Sequence, residues 1–136
     1  MFAYAIAYVS TAIVFLGIDS IWLGVIAPAF YRKHLGEMLL DQPNFVAAGL
    51  FYLIYIGGIV YFAVAPALQG GGWVQAAIAG AMLGFVAYAT YDLTNWATLK
   101  NWSPAIVVAD LAWGTVLTAA AATAGYFITQ KIAGAA

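Results

Sequence analysis

Four long apolar runs, separated by breaks too short to build anything else, set the limits on what this chain can become. They cover roughly residues 3–27, 44–65, 73–99 and 104–128. Each supplies the roughly 20 mostly apolar residues that a helix needs to cross a hydrocarbon core. In water the pattern has no good solution. Of 136 residues, 66% are hydrophobic and 7% charged, and a small fold leaves a large part of its surface exposed. The sequence therefore predicts an all-α, integral membrane four-helix transmembrane bundle, forming a single transmembrane domain over residues 1–136. The lipid bilayer is its first expected partner.

The breaks have their own chemistry. Ala27-Pro28-Ala29 resembles a signal-peptidase site. Against cleavage stand the missing basic n-region, the excessive length of the apolar run and Asp19 inside it, so an uncleaved first helix is expected. Pro28 is expected to break that helix, because proline removes a backbone donor. Beyond it, Arg32, Lys33, His34 and Glu37 alternate with Tyr31, Leu35 and Met38. That pattern suits a short amphipathic helix at the interface, or a plain polar loop. The second run is expected to stop near Pro66, before the flexible Gln69-Gly70-Gly71-Gly72 turn. Ser103-Pro104 reads as an N-cap followed by a proline at the first helical position.

Basic residues set the orientation. The breaks after the first and third runs carry Arg32, Lys33 and Lys100, while the opposite side carries only Lys131. By the positive-inside bias those two loops face the cytoplasm of a bacterial-type inner membrane and both termini face outward. Trp22, Tyr31, Trp96 and Trp102 then fall near the inner interface, with Tyr4, Tyr8, Tyr61, Trp73 and Tyr126 near the outer one.

Small residues supply the packing signal. Gly80 and Gly84 form a G-x-x-x-G on the third run, with Ala76 one turn earlier. Such stripes let helix backbones approach closely in lipid. The same face could serve the bundle interior, a homo-oligomer or a larger membrane complex, and interior packing is the preferred reading.

The candidate site is acidic. Asp19, Asp92 and Asp110 lie inside predicted spans, and no Lys, Arg or His does. An acid at mid-helix costs about 2.5–3.5 kcal/mol on insertion scales. Asp19 lies eight residues before Ala27, Asp92 eight before Lys100, and Asp110 seven after Ser103. At a helical rise of about 1.5 Å per residue, all three sit roughly 10–12 Å below one boundary. Tyr88, Asp92 and Asn95 share a helix face. Asp19-x-x-Trp22 and Asp110-x-x-Trp113 each put an indole N–H, which needs a partner when buried, one turn beyond an acid. The expected ligand- or ion-binding set is therefore Asp19, Asp92, Asp110, Asn95, Tyr88, Trp22 and Trp113. Such acids can share protons, hold a cation, or pair with Arg32 or Lys33 folded back from the loop. A purely structural network of Asp with Trp, Tyr and Asn is the alternative.

Much chemistry is excluded. No phosphate-binding glycine loop, nucleophile elbow or zinc-type His pair occurs, and His34 is the one histidine. With no cysteine and a net charge of -1, thiolate metal sites and a nucleic-acid-binding field are absent. No cofactor is expected, no metal and no nucleic-acid partner.

The run Ala87-Tyr88-Ala89-Thr90-Tyr91-Asp92-Leu93-Thr94-Asn95, continued by Ala97-Thr98-Leu99-Lys100, resembles a bacterial family of small membrane proteins catalogued as domain of unknown function 2177. Phe51-Tyr52-Leu53-Ile54-Tyr55, Phe62-Ala63-Val64 to Pro66-Ala67-Leu68, Asp19-x-x-Trp22 and Asp110-x-x-Trp113-Gly114 fit it too. The resemblance implies a multi-pass inner-membrane protein with Asp92 and Asn95 at its signature. It implies no substrate, cofactor or catalytic residue. Three functions fit the residues: a small transporter or binder of a proton, cation or cationic amphiphile; an accessory subunit of a membrane complex; and, third, an enzyme acting on a lipid.

Overall fold

The computed structural model describes residues 2–134. Among them the chain is helical throughout, with no strand: α1 (Phe2–Ile21), α2 (Ala27–Leu35), α3 (Phe45–Ile59), α4 (Gly72–Thr98) and α5 (Pro104–Ala133). Three continuous helical stretches are long and apolar enough to cross a membrane: Phe2–Met38, Phe45–Thr98 and Pro104–Ala133. The expected second and third spans thus fall within one stretch. Its interior is broken where Gln69 and Gly70 leave helical geometry. Gly70 has φ 122° and Gly72 φ 81°, conformations that glycine adopts at little cost. Beyond that break α4 packs back against the segment before it.

Both prolines expected to end helices lie inside helical stretches instead. The reason is the same at each. A wide π turn, Trp22–Ile26, precedes Pro28, and Ala27 N–H reaches back five residues to the Trp22 carbonyl. A second, Val60–Val64, precedes Pro66, and Ala65 N–H reaches the Val60 carbonyl. In a regular α-helix the proline ring would strike the carbonyl four residues back. A widened turn displaces that carbonyl, so the chain bends rather than stops. Past Pro28 the helix continues as α2 and a 3-10 turn at Gly36–Met38, which settles the Phe30–Leu40 region as largely helix rather than polar loop.

The remaining boundaries have local causes. Asn44 caps α3, its side-chain oxygen accepting from Ala47 N–H at 3.1 Å. Ser103 stands at the start of α5 with Pro104 behind it, but its hydroxyl makes no capping bond. The α4–α5 turn closes on Asn101 at φ 63°, a left-handed conformation that Asn tolerates better than most residues. The last helix runs to Ala133, five residues past its expected end at 128.

The core is organised around α5, which packs chiefly on α4 and then on α1. The residues α4 buries completely or nearly so, Ala76, Gly80, Gly84 and Asp92, lie on one four-residue ridge, with Tyr88 on the same line. On α5 the facing ridge is Ile106, Asp110, Gly114, Thr118 and Ala122, also at four-residue spacing. Ridges of this kind interdigitate, and glycine lets them close. A Cβ added at Gly80 would stand 2.9 Å from Ala122 Cβ and 3.0 Å from the Thr118 carbonyl. One at Gly84 would meet the Gly114 carbonyl and the Thr118 side chain. Gly125 does the same for α1, where Thr11 fills its missing side chain. Phe15, Ile59, Val64 and Leu117 complete the apolar centre. Leu, Ile, Val and Phe side chains cover the outer faces, among them Val25, Val46, Ile54 and Val108, all exposed, as suits a protein whose solvent is hydrocarbon.

Candidate functional site

A cavity of about 370 Å³ lies between the lower parts of α1, α3, α4 and α5. Asp19 and Asp110 reach it from α1 and α5; Trp22 and Trp113 follow them one turn on. Tyr31 enters from α2, Tyr52 and Phe51 from α3, and Tyr88 and Tyr91 from α4. Two acids thus stand among seven aromatic rings. The rim is made by Leu23, Phe51 and Tyr91, whose side chains are exposed on the apolar outer surface. The cavity therefore opens sideways, toward the region where lipid would lie, and not along the helix axes.

Aromatic donors hold the acids. Asp19 accepts at both oxygens: Oδ2 from the Tyr52 hydroxyl at 2.7 Å, and Oδ1 from Trp113 Nε1 at 3.1 Å. Asp110 accepts from the Tyr31 hydroxyl. The two D-x-x-W repeats therefore do not act within their own helices. Trp113, one turn beyond Asp110, crosses to serve Asp19. Its ring stacks on Trp22 with centroids 4.6 Å apart and planes 12° from parallel. The stack joins α5 to the π turn after α1, and both rings face the cavity.

Asp92 is placed differently. It is fully buried, and neither carboxyl oxygen has a hydrogen-bond partner. It stands beside Asp110 and does not line the cavity. The indole nitrogen of nearby Trp102 is likewise buried and unpartnered. Asn95 is half-buried one turn beyond Asp92 and also lies off the cavity wall. Tyr88 lines the cavity, and its ring covers Gly114. Gly80 and Gly84 lie above, in the α4–α5 contact already described. Among the described residues no three acidic, His or Cys side chains gather as a metal site would require; Asp19 and Asp110 line the cavity, while Asp92, next to Asp110, does not. Arg32 and Lys33 are exposed and leave the acids to their aromatic partners.

Residues 4–127 match the family described as a predicted membrane protein, DUF2177. The chain belongs to the DUF2177 family. No curated protein and no solved structure matches it. The family places this chain among membrane proteins, in agreement with its apolar helical stretches. The residues by which the DUF2177 resemblance was read in the sequence thus include both the cavity pair and Asp92. Tyr31, Tyr52 and Phe51 are the site residues that sequence reasoning did not select. Tyr52 had left a signal: a phenol hydroxyl in a span of otherwise apolar character needs an acceptor, and acids were the acceptors on offer. Tyr31 had been assigned to the interfacial belt. It is α2, docked through Phe30, Tyr31 and Leu35 against Trp102, Ile106 and Val107, that swings it inward. Trp102, assigned to the same belt, is buried in that contact.

Proposed function

We propose that this protein is a small binder or transporter of a cationic amphipathic ligand, seated at Asp19 and Asp110. The observation that carries the reading is the lack of a basic partner for these acids. Every hydrogen-bond partner of Asp19 and Asp110 among the described residues is a neutral aromatic side chain. In a low-dielectric site a carboxyl without a counter-charge is costly, and a ligand cation would supply that charge. The sideways opening suits a molecule that arrives dissolved in the bilayer.

The chain is taken to cross the inner membrane four times. A straight helix of 54 residues would be about 80 Å long, far beyond a hydrocarbon core of about 30 Å. The break at Gln69 and Gly70 supports two crossings there. The loops bearing Arg32, Lys33 and Lys100 then face the cytoplasm, and both termini face outward.

The test is a titration of the purified protein in maltoside micelles with dodecylamine, read by fluorescence of the Trp22–Trp113 pair in a background where Trp73, Trp96 and Trp102 are replaced by Phe. Saturable quenching is expected, at least about tenfold weaker in the Asp19→Asn, Asp110→Asn double variant. Equal quenching by uncharged dodecanol, or an unchanged curve in the double variant, contradicts the proposal.

A further inference from the structure

We infer that the head group this cavity selects is a fully alkylated ammonium, carried on a chain dissolved in the membrane, rather than a primary amine; the inference rests on the cationic reading of the site given above. A primary ammonium has three N–H groups and needs three acceptors when it leaves water. The cavity is poorly supplied with free ones. Asp19 already accepts at both oxygens, from Tyr52 and Trp113, and Asp110 at one, from Tyr31, which leaves a single unpartnered carboxyl oxygen at the cavity for three N–H groups. Asp92, with two unpartnered oxygens, is fully buried and does not line the cavity.

What the cavity does offer is ring surface. Trp22 and Trp113, stacked on each other at 4.6 Å, both line it, and the Tyr52, Tyr88 and Tyr91 rings complete the enclosure. Ring faces attract cations through their quadrupole, most strongly for Trp and when water is excluded, and aromatic enclosures of this kind suit quaternary ammonium groups. Such a group makes no hydrogen bond, so the occupied carboxyl oxygens lose nothing to it. Asp19 and Asp110 act at longer range through charge. The volume of about 370 Å³ holds a trimethylammonium group and the first part of an alkyl chain. The remainder of the chain leaves past Leu23 and Phe51, both exposed to the apolar surroundings.

The test compares ligands on the protein in that same background in maltoside micelles, by quenching of the same indole pair. The ligands are dodecyltrimethylammonium, dodecylamine, the uncharged isostere 2,2-dimethyltetradecane, and tetramethylammonium as a water-soluble head without a chain. Dodecyltrimethylammonium is expected to bind at least about tenfold more tightly than dodecylamine and the isostere, with tetramethylammonium failing to displace it at equal concentration. Trp22→Leu, read by isothermal titration calorimetry because it removes half of the fluorescent pair, is expected to abolish the preference between the two cations, while Tyr88→Phe, which keeps the ring face, preserves it. Dodecylamine binding as tightly or more tightly overturns this inference and leaves the cationic site standing. Binding of the isostere at equal strength overturns it also. Displacement by tetramethylammonium at equal concentration overturns the membrane-borne chain. Failure of both amphiphilic cations to bind removes the site reading itself.

Discussion

The ring of Tyr88 on α4 occupies the space into which a side chain at Gly114 on α5 would grow. The contact couples bundle packing to the cavity, because Tyr88 is at once the next step of the α4 packing ridge and part of the cavity wall. Without a Cβ at position 114 the ring lies down against α5 and leaves the cavity open.

Gly114→Ala is therefore expected to push the Tyr88 ring toward Asp19 and Trp113. Overpacking of this kind costs about 1–3 kcal/mol. Ligand quenching of the indole pair should fall by tenfold or more, and unfolding in detergent should come earlier. A variant that binds as wild type would show that Tyr88 moves without cost.

The α4–α5 ridge gives a paired prediction. Gly84→Ala should destabilise the protein by about 1–3 kcal/mol, since its Cβ would meet the Gly114 carbonyl and Thr118. Gly58→Ala, in α3 with nothing within 4 Å of the added carbon, should be neutral or stabilise by up to about 1 kcal/mol. Denaturant-induced unfolding followed by circular dichroism compares the two. Equal effects would mean that the close approach of α4 and α5 does not govern stability.

Trp113→Phe keeps a ring to stack on Trp22 and removes the hydrogen bond to Asp19. The loss should be near 1 kcal/mol, given that hydrogen bonds within membranes average about 0.6 kcal/mol and reach about 1.7. Combining it with Asp19→Ala, which removes the acceptor, in a double-mutant cycle should leave a coupling of the same size. Strict additivity of the two changes would deny the cross-helix bond.

The sequence contains no cysteine, so single cysteines report sidedness without interference. Glu37→Cys and Lys100→Cys should be labelled by a membrane-impermeant maleimide only from the cytoplasmic face. Gln69→Cys should be labelled only from the outer face. All three positions are exposed. Labelling of residues 69 and 100 from one side would leave an even number of crossings between them and exclude the four-crossing topology.

The apolar, helical character of the chain and its acids could be read from the sequence because lipid imposes simple rules: apolar length marks a membrane helix, and an ionisable residue within one marks a candidate site. Asp19 and Asp110 meet at the cavity for that reason. The prolines misled because the rule against them assumes a regular α-helix, and Pro28 and Pro66 each follow a π turn that relaxes it. The pairing of Trp113 with Asp19 was hidden for a different reason. Spacing along one helix links Trp113 to Asp110, and only the docking of α5 on α1 turns its indole toward another acid. Tyr31 depended likewise on how α2 folds back, which composition does not fix.

The proposed function requires a ligand cation between the stacked indoles and the carboxyls of Asp19 and Asp110. A high-resolution structure of the protein purified with its native lipids addresses that directly. The expected result is elongated non-protein density with its compact end within about 4–6 Å of the Trp22 and Trp113 rings, the range of a cation–π contact, and its tail leaving past Leu23 and Phe51. A cavity closed by its own side chains, with Asp19 and Asp110 turned apart, would contradict it.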